Sequence, residues 1–244
     1  MKTIVFDIDG TISQSGKPVS IEICEYLTAL SQTHHIVFAS ARPVRDMLPM
    51  IAKPLHHNAL FIGCNGGMAF KQGQFLFTHT LEKKYLEQAL AILKQQHIPY
   101  VLDGHWGYAF SKVAHPFQGY IKSLSDAEEE EEALIQTGVT KLLVLTDEPN
   151  NALISTLNQR NISLHIHKGE NFFDITPQGN NKYRTLNTLL GKQQYIAFGN
   201  DQNDFLMLDN AETAVFVGDA NTYPTADYYT MVDKVLEVIQ SVTK

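Results

Sequence analysis

The chain has 244 residues, enough for one large domain or two modest ones with a substantial buried core. Its residues are 44% hydrophobic and 18% charged, and no stretch approaches the ~20 apolar residues of a transmembrane helix, which argues against disorder and against a membrane protein. The net charge of −7 disfavours a nucleic-acid partner, because phosphate backbones attract basic patches and none stands out here.

The amino terminus and the cysteines indicate the compartment. The apolar run that follows Met1 is interrupted at once by Asp7 and Asp9, so it is too short and too acidic for a signal peptide. Cys24 and Cys64 both lie in apolar stretches, where buried, reduced thiols are expected. We therefore expect a cytoplasmic protein, either a monomer or a weak homo-oligomer.

Strands and helices alternate along the first sixty residues. Residues 3–6 are β-branched or aromatic and end in a polar turn, which predicts a short buried strand. Helical spacing of apolar residues follows over 21–30. Further strands are predicted at 36–38 and 59–62, and Pro43 suits the first turn of a helix between them. This alternation predicts a parallel sheet with helices on both faces.

The pattern changes in the middle third. Residues 68–70 and 74–77 flank a Lys-Gln-Gly turn and predict a hairpin, and the acidic run 128–132 predicts an exposed, solvated surface. Together these elements indicate an α+β domain inserted into the first fold. The other predicted elements are a helix near residues 81–93, strands at 99–102, 107–110, 142–145, 162–166 and 172–175, and a helix at 151–159.

The α/β pattern resumes near residue 181. A helix carrying Leu186 is followed by strands at 195–198 and 214–217 and by a final helix over 232–242. The prediction is an α/β protein with a three-layer core and a parallel sheet, plus an inserted α+β domain. The core is predicted to comprise residues 1–78 and 180–244, and the insert residues 79–179.

Two aspartates follow the first predicted strand. Asp7 and Asp9 are two residues apart and leave the carboxyl end of the strand together, where ligands bind in open α/β sheets. Carboxylates this close repel each other unless a cation or a shared proton intervenes, and magnesium prefers oxygen ligands. Gly10 permits a tight turn, which is expected to leave N–H groups free for phosphate oxygens. A purely structural aspartate turn remains an alternative, whereas the spacing excludes a calcium loop.

Three further clusters are predicted at the same edge of the sheet. Ser40 follows the second strand, Lys182 begins a helix, and Asn200, Asp201 and Asp204 follow another apolar strand. A parallel sheet would place a hydroxyl, an ammonium and acidic oxygens around Asp7. That set suits phosphoryl transfer, because the cations neutralise charge while the hydroxyl and the amides position the phosphate.

In this order, the four clusters resemble the four signature motifs of the haloacid dehalogenase superfamily. The insert resembles the large α/β cap of the Cof-type sugar-phosphatase branch, and Asn65-Gly66 stands where such proteins commonly carry an Asn-Gly pair. The resemblance covers nearly the whole chain. It implies a Rossmann-like core and a cap. Because the insert joins the core through only two chain crossings, we expect it to move as a lid about hinges near 78–80 and 176–180.

The resemblance also implies roles for individual residues. Asp7 would be the nucleophile that forms an aspartyl-phosphate, and Asp9 the general acid and base. Magnesium would be held by Asp7, the Asp9 carbonyl and the loop residues Asn200 and Asp204, with Asp201 as an alternative ligand. The residues expected to bind the substrate phosphate are Gly10, Thr11, Ser40, Ala41, Lys182 and Asn203.

Two positions depart from the pattern of the superfamily. Ala41 replaces a usual glycine, and Asn200 replaces a usual aspartate, so the loop offers magnesium one charge fewer at that position. The leading interpretation is a magnesium-dependent hydrolase of a small phosphorylated metabolite such as a sugar phosphate. A phosphomutase of the same fold and a non-catalytic sensor of phosphorylated ligands are the alternatives.

Overall fold

The computed structural model describes residues 1–146, 153–155, 161–166 and 172–244. The chain divides into two units, residues 1–76 with 181–244 and residues 77–180; the boundaries expected from the sequence differ by one or two residues. The strands are β1 Thr3–Phe6, β2 His35–Ala39, β3 Leu60–Gly63, β4 Met68–Lys71, β5 Gln74–Thr78, β6 Tyr100–Asp103, β7 Tyr108–Phe110, β8 Lys141–Leu145, β9 Ile162–Ile166, β10 Phe172–Pro177, β11 Tyr195–Gly199, β12 Thr213–Val217 and β13 Tyr228–Thr230. The described helices are α1 Ile21–Leu30, α2 Val44–Met47, α3 Lys53–Asn58, α4 Lys83–Gln95, α5 Pro116–Leu124, α6 Glu131–Thr137, α7 Lys182–Leu190, α8 Phe205–Asp209 and α9 Val235–Val242.

The first unit contains an eight-stranded sheet in the order β13-β12-β11-β1-β2-β3-β4-β5. The strands from β13 to β3 pair in parallel, so their carboxyl ends share one edge. The predicted parallel sheet is confirmed for these strands, whereas β4, a strand of the predicted hairpin, lies beside β5 and pairs with β3 antiparallel. The short turn at Cys64–Gly66 explains the difference, because a parallel crossover needs a dozen or more residues.

Four phenylalanines fix the register of the central strands. Phe6 lies opposite both Phe198 and Phe38, and Phe38 lies opposite Phe61. All four are fully buried, with ring centroids 4.8–6.2 Å apart along the row. Each such pair stabilises by about 0.5–1.5 kcal/mol beyond the burial of its area. The row aligns the strand ends, so the residues just beyond β1, β2 and β11 meet at one edge.

Helix α1 has the bounds that the sequence predicted. The Ser20 hydroxyl accepts a hydrogen bond from the Ile23 N–H at 3.4 Å, and the buried face includes Leu27 and Leu30. The helix predicted to start near Pro43 is α2, of which Pro43 is the N-cap. The final predicted helix begins with a 3₁₀ turn at Val232–Lys234 before α9.

The second unit contains an antiparallel five-stranded sheet in the order β7-β6-β8-β10-β9. Helices α4 and α6 pack on one face, and α5, which the sequence did not predict, packs on the other. The predicted helix at 151–159 lies outside the described residues except for 153–155, which are helical. No helix in the described part of the chain is long and apolar enough to cross a membrane.

The acidic run 128–132 is less uniformly exposed to solvent than the sequence indicated. Most of its side chains are exposed, as expected. Glu131, however, is half-buried in the first turn of α6 and accepts hydrogen bonds from Lys94 Nζ at 2.6 Å and from the Tyr100 hydroxyl at 2.7 Å. One glutamate of the run therefore anchors α6 within the second unit.

Candidate active site

Asp7 stands at the carboxyl end of β1 and is buried. Its main-chain N–H donates to the Phe198 carbonyl at 2.9 Å, which continues the pairing between β1 and β11. Its carboxylate accepts hydrogen bonds from Lys182 Nζ at 2.6 Å and from the Thr11 hydroxyl at 3.0 Å. Both carboxylate oxygens are therefore held by donors that come from other parts of the first unit.

Lys182 lies at the start of α7, as the sequence predicted. Asn181 caps this helix by accepting from the Arg184 N–H at 2.8 Å. The Lys182 ammonium is fully buried between two carboxylates, 2.6 Å from Asp7 Oδ1 and 2.7 Å from Asp204 Oδ1. A single cation thus neutralises one of two buried negative charges.

The buried triad shifts the ionisation of its members. Burial raises the pKa of Asp7 to about 7, the nearby Asp204 carboxylate adds to the rise, and the Lys182 ammonium opposes it. Burial alone would lower the pKa of Lys182, but the carboxylates of Asp204 and Asp7 outweigh it and hold that pKa above its usual range. Lys182 is therefore held as a cation, and further positive charge beside Asp7 would favour its ionised form.

The loop after β11 brings Asp204, and not Asp201, to the triad. Asp204 Oδ2 accepts from the Asn200 N–H at 3.0 Å and from the Asp201 N–H at 3.2 Å. Gly199 makes room for it, since a Cβ there would lie 2.6 Å from Asp204 Cβ. Asp201 instead caps the following 3₁₀ turn by accepting from the Gln202 N–H at 2.7 Å. The capping box thus assigns the two acids different roles.

The side chain of Asn200 meets three oxygen atoms. One end of its amide lies 3.0 Å from the Asp9 carbonyl, 3.1 Å from Thr11 Oγ1 and 3.2 Å from Asp7 Oδ2. With nitrogen at that end, the amide donates to these oxygens. In the other orientation the Asn200 amide oxygen faces the Asp9 carbonyl oxygen and the Asp7 carboxylate, and these three oxygens form a donor set of the kind that magnesium prefers. The residues present therefore fit this metal.

Gly10 is required by this arrangement. Its φ is +75°, and a Cβ would lie 2.2 Å from the Asn200 amide. The expectation of free N–H groups in this turn is wrong for Gly10 and Thr11, whose amides donate to Ser13 at 2.7 Å and to Ile8 at 3.2 Å. The turn closes on itself, so its own carbonyls use these two donors. A phosphate would therefore have to rely on other groups.

Asp9 is held by an arginine to which sequence reasoning gave no role. Arg42 Nε donates to Asp9 Oδ2 at 2.6 Å, and Nη2 donates to Oδ1 at 2.8 Å. Such bidentate pairs are strong and directional. The position of Arg42 two residues after Ser40 was the available signal, but sequence gives no measure of its distance from a residue 33 positions earlier.

Ser40 and Asn203 both contact Asn65, whose main-chain N–H donates to the Ser40 carbonyl at 3.0 Å. Ser40 is buried at the end of β2, and its hydroxyl accepts from the Arg42 N–H at 3.1 Å, while the neighbouring Ala41 is partly exposed. Asn203 Nδ2 donates to Asn65 Oδ1 at 3.0 Å. The sequence marked Asn65 only as part of an Asn-Gly pair. In the described part of the chain, no three His, Cys, Asp or Glu side chains form a metal-binding group.

Comparison with known proteins identifies the family. Residues 4–231 match the model of the haloacid dehalogenase-like hydrolases. The chain belongs to this family. Since that match spans nearly the whole sequence, the predicted resemblance and the prediction of a hydrolytic enzyme are both confirmed.

Relatives of this hydrolase agree in fold. It is 25% identical to the Bacillus subtilis protein named "Putative phosphatase YkrA", covering 90% of this chain and 87% of that protein. A haloacid dehalogenase-like hydrolase from Bacteroides thetaiotaomicron superposes with a TM-score of 0.83 at 23% identity, covering 99% of each chain. A subclass IIB sugar phosphatase of the superfamily superposes with a TM-score of 0.77 at 16% identity, covering 100% of each chain. The predicted α/β core with an inserted domain is confirmed.

Proposed function

We propose that this hydrolase is a phosphatase that removes phosphate from a small phosphorylated metabolite, with a sugar phosphate as the preferred class. The observation that carries the proposal is the buried Asp7 carboxylate at the carboxyl edge of the sheet, held 2.6 Å from Lys182 and 3.0 Å from Thr11. These contacts orient a carboxylate for attack while leaving it a carboxylate, as covalent catalysis requires. A subclass IIB sugar phosphatase with the same fold supports the choice of substrate class.

The charge of the site supports a magnesium cofactor. Asp7 and Asp204 with Lys182 leave one net negative charge in a buried space, which would repel a phosphate dianion. Asp7, the Asp9 carbonyl and the Asn200 amide would hold the metal, with Asp204 ordering the loop that carries Asn200. When bound, magnesium supplies the positive charge that keeps Asp7 ionised and offsets the phosphate.

Two displacements at phosphorus complete the proposed reaction. An Asp7 oxygen attacks phosphorus, the bond to the leaving oxygen breaks, and Asp9 protonates that oxygen. Water then attacks the aspartyl-phosphate, Asp9 takes its proton, and inorganic phosphate leaves as the Asp7 carboxylate is restored. Ser40, Lys182 and Asn203 would bind the phosphate oxygens.

Arg42 constrains the acid step. Both oxygens of Asp9 accept hydrogen bonds from Arg42, and a carboxyl that carries a proton on one oxygen cannot keep both. Asp9 must therefore give up at least one of these bonds before it donates a proton. Arg42 thus orients Asp9 before the reaction, and Asp9 must take up a proton from solvent as it leaves Arg42 before it can protonate the leaving oxygen.

Release of inorganic phosphate from a panel of phosphorylated metabolites, with and without magnesium, tests the proposed function. We expect magnesium-dependent release, with phosphorylated sugars among the best substrates. Interconversion of sugar phosphate isomers without release would indicate a mutase. Binding without turnover of any member would indicate a sensor, and either result would contradict the proposal.

Loss of the acid at position 204 should weaken magnesium activation. Asp204→Asn keeps the volume beside Gly199 but removes the charge that holds Lys182 and the Asn200 and Asp201 amides. We expect the magnesium concentration for half-maximal activity to rise about tenfold or more, which corresponds to about 1.4 kcal/mol. Activity measured against magnesium concentration gives this value.

Asp201→Asn is the matched control, because it changes an acid that caps the 3₁₀ turn on the same loop. Its magnesium dependence should change little. If the magnesium concentration for half-maximal activity rose strongly in Asp201→Asn and stayed unchanged in Asp204→Asn, then Asp201, and not Asp204, would be the acid that supports the metal. Asn200→Asp should keep or tighten magnesium affinity, because a carboxylate would replace a neutral ligand.

Replacing the proposed acid should affect substrates unequally. In Asp9→Asn, esters with basic leaving oxygens should lose more activity than p-nitrophenyl phosphate, because a good leaving group needs little protonation. The comparison is the ratio of the variant's kcat/KM to that of the unmodified protein for an alkyl phosphate and for the p-nitrophenyl ester. Equal losses for the two substrates would remove Asp9 from the acid role.

A further inference from the structure

The turn after β3 has an unusual backbone. Cys64, Asn65 and Gly66 have φ values of +52°, +53° and +95°, so three successive residues lie in the left-handed region. Asparagine tolerates this region better than most residues, while cysteine does not share that tolerance. Asn65 and Cys64 are fully buried. Strain of this kind persists only where the surroundings enforce it, and it concentrates at functional sites.

Hydrogen bonds to the Ser40 loop enforce the turn on one side. The Cys64 N–H donates to the Arg42 carbonyl at 2.8 Å, and the Asn65 N–H donates to the Ser40 carbonyl at 3.0 Å. Gly63 packs against the same loop, where a Cβ would lie 2.9 Å from the Arg42 carbonyl. Two successive amides of the turn therefore fix the main chain that carries Ser40 and Arg42.

Helix α7 encloses the turn on the other side. The Thr185 hydroxyl donates to the Gly66 carbonyl at 2.7 Å. A Cβ on Gly66 would lie 2.4 Å from the Asn181 carbonyl, so the turn rests directly on the first turn of the helix that begins with Lys182. The same short segment therefore contacts both the serine loop and the helix that supplies the buried ammonium.

The Asn65 side chain contacts a third candidate phosphate-binding residue, Asn203. Its Oδ1 accepts from Asn203 Nδ2 at 3.0 Å. A primary amide nitrogen carries two hydrogens, so this bond fixes which way the Asn203 amide faces and leaves a second hydrogen to donate. Asn203 is partly exposed, and it lies on the loop that also carries Asn200 and Asp204.

We propose that Asn65 is a positioning residue for phosphate recognition: its main-chain N–H holds the Ser40 loop and its side chain orients Asn203, while the adjacent Gly66 packs on the helix that begins with Lys182. The inference rests on the proposed function, because it names what holds that phosphate site together. Preorganised donors bind a charged group without rearrangement, so their loss weakens binding of the anion.

Two substitutions test the hydrogen bond between the Asn65 and Asn203 side chains without changing the backbone of the turn. Asn65→Gly removes the amide and keeps the left-handed conformation accessible, so the protein should fold. Asn203→Ala removes the partner. We expect each to raise KM and the inhibition constant of inorganic phosphate about tenfold while kcat changes less than about threefold. The double variant should be no weaker than the worse single variant, because both changes break the same contact.

Gln72→Gly is the matched control. Gln72 also carries a side-chain amide and has a φ of +52°, but it is exposed in the turn between β4 and β5. Both phosphate inhibition and turnover should be unchanged in this variant. The thermal unfolding midpoint of every variant, measured alongside, reports any purely structural effect.

The possible outcomes separate the inference from the proposed function. An Asn65→Gly protein with unchanged phosphate inhibition, or a double variant in which the two effects multiply, would overturn the positioning role while leaving the phosphatase intact. A lower unfolding midpoint with KM and phosphate inhibition unchanged would do the same. An unmodified protein that neither releases phosphate nor binds it would overturn the proposed function and, with it, this inference.

Discussion

Asp7→Asn should abolish turnover while the fold remains intact. The amide has nearly the volume of the carboxylate, and its oxygen can still accept from Lys182, so the packing at the end of β1 is retained. An amide cannot act as the attacking carboxylate, and loss of a nucleophile lowers kcat by roughly 10⁴-fold or more. The measurement is phosphate release under saturating substrate and magnesium, together with circular dichroism of the variant.

Asp233→Asn provides the control, since Asp233 is exposed at the carboxyl-terminal end of the chain. It should retain full activity. Beryllofluoride, a mimic of the aspartyl-phosphate, should bind the unmodified protein and the control but not Asp7→Asn. Activity above a few per cent in Asp7→Asn would remove Asp7 from the nucleophilic role.

Lys182→Met should produce the largest loss of stability. Methionine fills a similar space but leaves the carboxylates of Asp7 and Asp204 buried without their cation. Removing one partner from a buried ion pair costs about 3–5 kcal/mol, which corresponds to a fall of roughly 10 °C in the unfolding midpoint for a chain of this size. Thermal unfolding without magnesium measures the loss.

Magnesium should restore part of that stability. A divalent cation beside Asp7 replaces positive charge that the variant lacks, so the midpoint of Lys182→Met should rise more with magnesium than that of the unmodified protein. Lys192→Met, at an exposed position after α7, should show neither effect. If magnesium raised the unfolding midpoint equally in Lys182→Met, Lys192→Met and the unmodified protein, this would argue against a metal site beside Asp7.

Local chemistry specified most of the elements on which the site depends. The apolar run at 3–6 became β1, and α1 has its predicted bounds because Ser20 caps it and every third or fourth residue is apolar. Lys182 begins a helix because Asn181 precedes it as a cap. These features depend on neighbours within about four residues in the sequence. In contrast, α5 was not predicted, although Pro116 stands in its first turn and His115 accepts from the Phe117 N–H.

Contacts between distant positions needed the tertiary structure. The sequence offered Asn200 and Asp204 as metal ligands in the loop, with Asp201 as an alternative; the structure shows Asp201 capping the turn and Asp204 bound to Lys182. It also gave no role to Arg42, which holds Asp9 through a pair of hydrogen bonds.

The sequence by itself indicated the candidate reacting groups. A pair of aspartates after a buried strand, followed by a serine, a lysine and an acidic loop, indicated a phosphoryl-transfer site. Only the tertiary structure decided how these groups are held: Lys182 lies between Asp7 and Asp204, and Asn65 contacts both the Ser40 loop and Asn203. The physical reason is that a residue's type sets what chemistry it can perform. The distance and orientation of its partners depend on how strands far apart in the chain pair and pack.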